Sequence, residues 1–476
     1  MYYPEASMAK DFRYQQLTQQ LQQLLAQGHW QPAERLPSVR ALCKQYQLSL
    51  ATVQHALHQL EALGLVEARA RSGYYVRQPL SAVSATKPEP PPASPAPVTV
   101  PELFVDIMNR SAAFDIQPKG PVVNLPHLTL LHRLLSRTLR QHGSRYALHY
   151  DEPTGLPALR EQLSLHYRHY GLALKEDQFC ITAGCQHALF LALQAVCQPG
   201  DIVAVEHPAF YGVLQLLQQL QLQVLEIPTQ QDGLDTAALQ QALSRWQVKA
   251  CVVTPAYATP TGACMSPLKQ QHLLALAAQY DLAVIEDDIY GDLGFYQRPP
   301  PLKSLDTEQR VILCSSFSKA LSRDLRIGWI AAGRWHEKVA RLKLVSQLAG
   351  SQSVQQALAL FLAQGHYKRH LQHYRNQLQH QRDQLLNALQ QYWPDARYTV
   401  PQGGLALWLE LPGKPNCTAA YTHCLQQGIV LTPGELFSSS GQFQHFLRLS
   451  FTNPMVGSRL TALQTLARLL RNKQQV

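Results

Sequence analysis

The residues best able to act together chemically lie around position 319. Ser315-Ser316-Phe317-Ser318-Lys319 is followed seven residues later by Arg326, in Leu325-Arg326-Ile327-Gly328-Trp329. A lysine amine can condense with an aldehyde cofactor to a Schiff base, while nearby hydroxyls (Ser316, Ser318) and a guanidinium hold an anionic phosphate. Taken alone, the same pattern also describes a surface lysine. Upstream, Val284-Ile285-Glu286-Asp287-Asp288-Ile289-Tyr290 is an apolar strand running into acids. A carboxylate at the end of a parallel strand can pair with a pyridinium nitrogen and keep it protonated, which makes the ring an electron sink. Asp287 is the candidate, and Tyr290 could donate to the ring's phenolate oxygen; solvated acids at a strand end are the plainer alternative.

Four further segments fit the same chemistry. Thr182-Ala183-Gly184-Cys185-Gln186 passes from strand to helix and would offer free backbone N–H groups to a phosphate. Phe210 follows another strand end and could stack on a flat ring, or simply fill core. The turn Thr259-Pro260-Thr261-Gly262 could aim a polar group at that ring. Arg448 is a lone cation on the apolar run Phe446–Ser450, so it needs an anion: a substrate carboxylate or a structural salt bridge.

These residues need a large scaffold. Short β-rich runs (Phe179–Ala183, Ile202–Glu206, Gln223–Ile227, Ala250–Thr254, Leu282–Asp287, Val311–Ser315 and Ile327–Ala332) alternate with helical segments, which predicts an α/β domain with a mostly parallel sheet. From about Arg369 onward, a long polar helix, strands around Gly403-Gly404 and a closing helix predict a smaller C-terminal α+β lobe. Between Pro79 and Pro101, eight prolines sit among small residues, a composition that favours an extended linker over a packed core. The expected division is therefore 10–78, a linker over 79–101, and 102–476. No internal repeat is evident.

Ahead of the linker, Tyr14, Leu17, Leu21, Leu24 and Leu25 share one helical face, closed by Gly28. Ser38 caps a short helix bearing Val39, Leu42, Cys43 and Tyr46. Ser49 caps the next, whose Val53, Leu57, Leu60 and Leu63 recur until Gly64. Two capped helices joined by a tight turn make a helix-turn-helix, and Leu65–Arg69 with Tyr74–Val76 around Arg71-Ser72-Gly73 makes a β-hairpin wing. In such a unit the start of the second helix, here Ser49 and Thr52, meets base edges. Arg40 and Arg71 are placed to meet phosphates or the minor groove.

Bulk properties set the limits. A chain of 476 residues exceeds what one core normally supports. The net charge of +10 suits a polyanionic partner but is not concentrated in the helix-turn-helix, where residues 1–80 carry eight basic and five acidic side chains. Hence the motif, not the charge, argues for DNA. Nine scattered cysteines with no C-x-x-C pair favour reduced thiols over disulfides or a metal site. With no long apolar run and no apolar leader at the N-terminus, a cytoplasmic protein without membrane contact is expected.

Two resemblances add to this reading. Glu34–Arg40, Ser49–Val53, Leu60–Leu65 and Ser72–Val76 resemble the GntR family of bacterial regulators over nearly all of residues 10–77. The resemblance implies that Arg40, Thr52 and the Gly73 wing contact double-stranded DNA. Leu50 stands where many members have Arg, and Ala33 replaces a usual turn glycine. The rest of the chain, over residues 120–470, resembles fold-type I pyridoxal 5'-phosphate (PLP) enzymes of the aspartate aminotransferase class. In that resemblance Asp287 partners the pyridine nitrogen, Tyr290 the phenolic oxygen, Lys319 the aldehyde, Arg326 the phosphate and Arg448 a carboxylate. Phe210 matches the stacking aromatic, Gly184-Cys185-Gln186 the phosphate turn, and Tyr150 a tyrosine reaching the neighbouring subunit's phosphate, which implies a homodimer. Thr259 takes the place of a usual asparagine, and Asp324 that of a usual glycine. Together the two halves resemble the MocR subfamily of GntR regulators. That implies a transcription regulator sensing PLP, an amino acid or an amine through an aldimine at Lys319. The alternatives are an active aminotransferase with an appended DNA-binding module, and a DNA-binding dimer whose second half has lost its cofactor.

Overall fold

The structure, a computed structural model, describes residues 13–62, 65–69, 72–77, 90–92, 94–99, 102–110, 115–119, 126–146 and 152–472. They form two compact units, one N-terminal, with which Phe295–Gln297 groups, and one made of the other residues from Ala82 onward.

In the N-terminal unit the apolar spacing produces three helices, α1 (Arg13–Ala26), α2 (Val39–Tyr46) and α3 (Leu50–Ala62), and the hairpin β1 (Val66–Arg69) and β2 (Gly73–Val76). The strands pair antiparallel from Val66↔Val76 to Arg69↔Gly73. Leu17, Leu21, Leu36, Leu42, Val53, Ala56, Leu57, Leu60 and Val66 form the core. Residues 33–36 run alongside β2, with Ala33 N–H donating to the Val76 carbonyl and Leu36 N–H to that of Tyr74. Ala33 itself sits at φ 66°, the left-handed conformation for which glycine is better suited.

The second unit is built on a nine-stranded sheet of β3 (Ala96–Pro97), β4 (Cys180–Thr182), β5 (Ile202–His207), β6 (Gln223–Gln230), β7 (Gly233–Leu234), β8 (Val248–Val253), β9 (Ala283–Asp287), β10 (Val311–Ser316) and β11 (Gly328–Ala331). Their spatial order is β3-β6-β5-β8-β9-β10-β11-β4, with β7 on β6. The strands β6, β5, β8, β9 and β10 run parallel, while β11 runs against both β10 and β4. All seven strand runs read from the sequence are present in this sheet. Residues such as Ala204, Leu225, Cys251 and Val284 are fully buried beneath helices, as continuous apolar strands of a parallel sheet require. The end of the Pro-rich stretch joins this sheet: Ala96 and Pro97 pair with Val224 and Gln223 of β6.

The C-terminal lobe holds the helix His366–Tyr392, the antiparallel strands β12 (Arg397–Tyr398), β13 (Ala406–Glu410) and β14 (Phe446–Ser450), and the closing helix Ser458–Asn472. Residues well before position 369 also pack on it. Asp115 binds Arg459 (Oδ2 to Nη2 2.6 Å) and Asn453, and the Ile116 carbonyl accepts from Val430 N–H.

Candidate functional site

Sheet topology brings distant segments to one rim. The C-terminal ends of β4, β5, β8, β9 and β10 and the N-terminal end of β11 all lie on the same edge. Asp287 ends β9 there, and just beyond the other ends stand Gly184, Phe210, Thr259, Lys319 and Arg326. Open parallel sheets bind ligands at such an edge.

At the bottom of the site, Asp287 is buried and opposite Cys314 of β10. Its Oδ1 accepts from the Cys185 thiol and from the Ile289 N–H, both at 3.2 Å, while no described residue donates to Oδ2. Burial pushes its pKa up to about 6, against the lowering pull of those two donors and of Lys319. Such a carboxylate is eager for a cationic N–H partner. Lys319, two residues past the backbone bend where Ser318 N–H meets Ser316 Oγ (3.2 Å), has its pKa lowered to about 7. Burial is the main cause, followed by Arg323 and Arg448. A large fraction of this amine is thus neutral and nucleophilic near neutral pH.

Phosphate fit is tested by the turn at Gly184, which sits at φ 100° and starts the helix Cys185–Val196 with no side-chain cap on its first N–H groups. A Cβ at Gly184 would come within 2.8 Å of Arg326 Nη2, and one at Gly328 within 2.6 Å of the Gly184 backbone. Only glycines allow this close cradle. Arg326, at φ 49°, donates from Nη2 to the Ala183 carbonyl (2.8 Å), which holds its guanidinium over the turn. An uncapped helix N-terminus beside an exposed arginine suits a phosphate dianion. The side chains of this turn point elsewhere: Cys185 to Asp287, and Gln186 to the Gly212 carbonyl (2.7 Å).

Above this floor a cleft is lined by Phe210, Thr259, Tyr290, Lys319 and Arg448. Arg448 Nε donates to Thr259 Oγ1 (3.3 Å), and the Tyr290 side chain lines the same cleft. Sequence reasoning missed Tyr211, Arg323, Leu405, Ser450 and Thr452, which line the same cleft. Arg323, four residues beyond Lys319 in the same turn-rich segment, was within reach of spacing alone; Leu405, Ser450 and Thr452 come from the other lobe and carry no local signal. Also unforeseen is the cluster behind Asp287, where Arg298 binds Asp288 (2.7 Å) and Asp292 (3.2 Å). His166 (3.1 Å) and the Tyr367 hydroxyl (2.7 Å) complete the shell of Asp292. Burial opposes the Asp292 charge, but His166 and Arg298 outweigh it and keep its pKa low.

In the N-terminal unit, Ser38 Oγ accepts from Ala41 N–H and Ser49 Oγ from Thr52 N–H, both at 3.2 Å, so both serines cap as expected. Gln47, in the left-handed conformation, makes the tight turn between them. Arg40 and Ser49 are exposed, while the Thr52 hydroxyl is tied to Ser49 Oγ (2.7 Å). Leu50 presents 54% of its surface at the start of α3, where an arginine would have brought charge. Gly73, at φ 106°, closes the wing against the Arg35 guanidinium. Arg71 and Tyr150 lie outside the described residues. No helix among the described residues is long and apolar enough to cross a membrane.

Comparison with known proteins gives two family matches: aminotransferase class I and II over residues 124–460, and bacterial regulatory proteins, gntR family, over residues 13–76. The chain is 35% identical to the HTH-type transcriptional regulator YjiR of Escherichia coli, across 93% of this chain and 95% of that one. It is 27% identical to the HTH-type transcriptional regulator TauR of Rhodobacter capsulatus, across 96% of each. Among solved structures, kynurenine aminotransferase of Pyrococcus horikoshii, in complex with PMP, superposes with a TM-score of 0.70 at 27% identity, over 79% of this chain and 95% of that one.

Proposed function

Because this chain belongs to the aminotransferase class I and II family and joins to it a gntR-type helix-turn-helix, the MocR-type architecture of a PLP-linked transcription regulator, we propose that its cleft senses PLP or an amine-bearing effector and passes that state to DNA. The observation that carries this reading is the convergence of Lys319, Asp287 and the turn from Gly184 at one rim of the sheet: Lys319 feels the Asp287 charge, the Cys185 thiol donates to Asp287, and the Gly184 turn is closed against Arg326. When bound, PLP supplies an aldehyde that exchanges amines and a ring that withdraws electrons once protonated. Asp287 would accept the ring N–H and keep its proton in place. Tyr290 and Thr259 would hold the phenolic oxygen, and Phe210 would cover the ring face. Arg326, Ser316, Ser318 and the N–H groups of Gly184, Cys185 and Gln186 orient the phosphate, joined in a homodimer by Tyr150 of the partner subunit. Lys319, with its pKa lowered to about 7, would supply the neutral amine that holds the cofactor aldehyde, and Arg448 would orient the carboxylate of an amine-bearing effector.

On the DNA side, Ser49, Thr52 and the neighbouring backbone face bases, and Arg40, Arg71 and the Gly73 wing meet phosphates of paired half-sites. The working domain bounds are 10–78, 79–101 and 102–476, with Ala96–Pro97 already in the second unit's sheet. A cytoplasmic location follows from the DNA target. Effector exchange at Lys319 biases the spacing of two DNA-reading heads across the dimer, because a ligand shifts an equilibrium only through different affinity for its states. A DNA-protection assay on the region upstream of the chain's own gene, with and without PLP and candidate amines, tests this: protection must depend on the cofactor or the amine. Because the chain carries Lys319, Asp287, Tyr290, Arg326 and Arg448, the residue types that transamination needs, a second reading keeps that reaction as a side activity. Many turnovers with an amino donor and a 2-oxo acid would favour it, whereas a single half-reaction that stalls favours sensing.

A further inference from the structure

We propose that the cleft contains a second anion subsite at Arg323, so that the amine it recognises is an amino acid bearing a second acidic group. This rests on the reading of Lys319 and Arg448 above and narrows its effector class. Arg323 lies four residues past Lys319 and lines the same cleft as Tyr211, Leu405 and Arg448. It is half-buried, and among the described residues no hydrogen bond or ion pair engages its guanidinium. Its neighbour Asp324 is exposed, with its own N–H turned to Ser322 Oγ (3.3 Å).

The charges of the cleft do not balance with a simple amino acid inside. Arg323 and Arg448 both press on Lys319, and the acid that answers them, Asp287, lies at the floor, where its Oδ1 accepts from the Ile289 N–H and the Cys185 thiol. Glu206, nearby and buried, holds its proton to about pH 8 because burial disfavours its charge. The remaining polar lining, Ser450 and Thr452, is neutral, and the two hydroxyls bond one another (2.9 Å). Arg326 is engaged at the Gly184 turn, where its Nη2 donates to the Ala183 carbonyl (2.8 Å). One carboxylate satisfies Arg448 and leaves Arg323 partly dehydrated without an anion, an unfavourable state. A second carboxylate removes that cost through a charge-assisted hydrogen bond.

The test uses the full-length chain loaded with PLP. The visible band of the cofactor is titrated with L-glutamate against L-glutamine, and with L-aspartate against L-asparagine, pairs alike in size that differ in charge. For at least one pair the acidic member should half-saturate at a concentration roughly ten- to hundredfold lower, the range a charged hydrogen bond supplies. Arg323→Gln should collapse that ratio toward one, and Arg323→Lys should retain part of it, with the band itself reporting that each variant is folded. Equal titration by both members of each pair in the wild-type chain overturns the proposal, as does a preference that survives Arg323→Gln. A wild-type chain with no band overturns instead the reading of Lys319, so the two failures are distinct.

Discussion

The two ends of this chain hold their candidate residues in opposite ways. In the cleft, Asp287 is buried, doubly hydrogen-bonded and backed by the Arg298 cluster, while Lys319 feels two arginines. In the helix-turn-helix, Arg40 and Ser49 are exposed, and their positions depend on two serine caps and a nine-residue apolar core. Coupled buried charges make each residue indispensable and shift its titration. Exposed residues on a stable frame contribute separately and modestly. The difference teaches that substitutions in the cleft should be severe and non-additive, and those on the DNA face mild and additive.

That contrast can be broken at several points. Lys319→Ala should abolish the visible cofactor band outright; a band that persists would show that the cleft holds PLP without a covalent link. Asp287→Asn removes a charged acceptor from the ring nitrogen, and cofactor retention, followed by dialysis, should fall roughly ten- to hundredfold. Proton linkage gives a finer check. Lys319 has its pKa lowered from 10.5 to about 7, so the folded chain binds fewer protons than the unfolded chain between those values. The cofactor-free protein should therefore gain stability as pH rises through that window, and lose it on the way down until about pH 7. Cofactor capture should follow the neutral amine, falling about tenfold per unit below that pKa and levelling off above it. Stopped-flow measurement of capture that kept climbing to pH 10 would remove the electrostatic part of the comparison.

On the DNA side, Arg40→Ala should weaken binding to all sequences alike and reduce the slope of log affinity against log salt by about 1. A change confined to one operator position would place Arg40 among the bases instead. Smallest of all, Ser49→Ala loses a helix cap worth about 1 kcal/mol. Thermal melting of the N-terminal unit would register it, with no effect on the cofactor band.

The sequence carried the sheet well because buried parallel strands are unbroken apolar runs, and all seven were readable. The caps at Ser38 and Ser49 were equally plain, since capping is a local bond over three residues. Lys319 and Asp287 were legible as chemistry, but their convergence depends on β9 and β10 being neighbours, which no short window states. The Cys185 thiol on Asp287 bridges 102 positions, and Asp115 to Arg459 bridges 344. Such contacts leave no periodicity. For the same reason the lobe boundary near 369 omitted the packing of Asp115 and Ile116, and the Pro-rich stretch gave no hint that its last residues pair with β6.

That pairing bears on how the protein can be dissected. A fragment begun at Pro101, the border that composition suggests, would strip Ala96 and Pro97 from β6 and leave part of its backbone amides and carbonyls open to any passing strand. Proline at that position has no N–H to offer a further neighbour, which makes it a natural stopper against stacking between molecules. Truncations intended for crystallisation or calorimetry should start upstream of position 90, or aggregation will be mistaken for loss of fold.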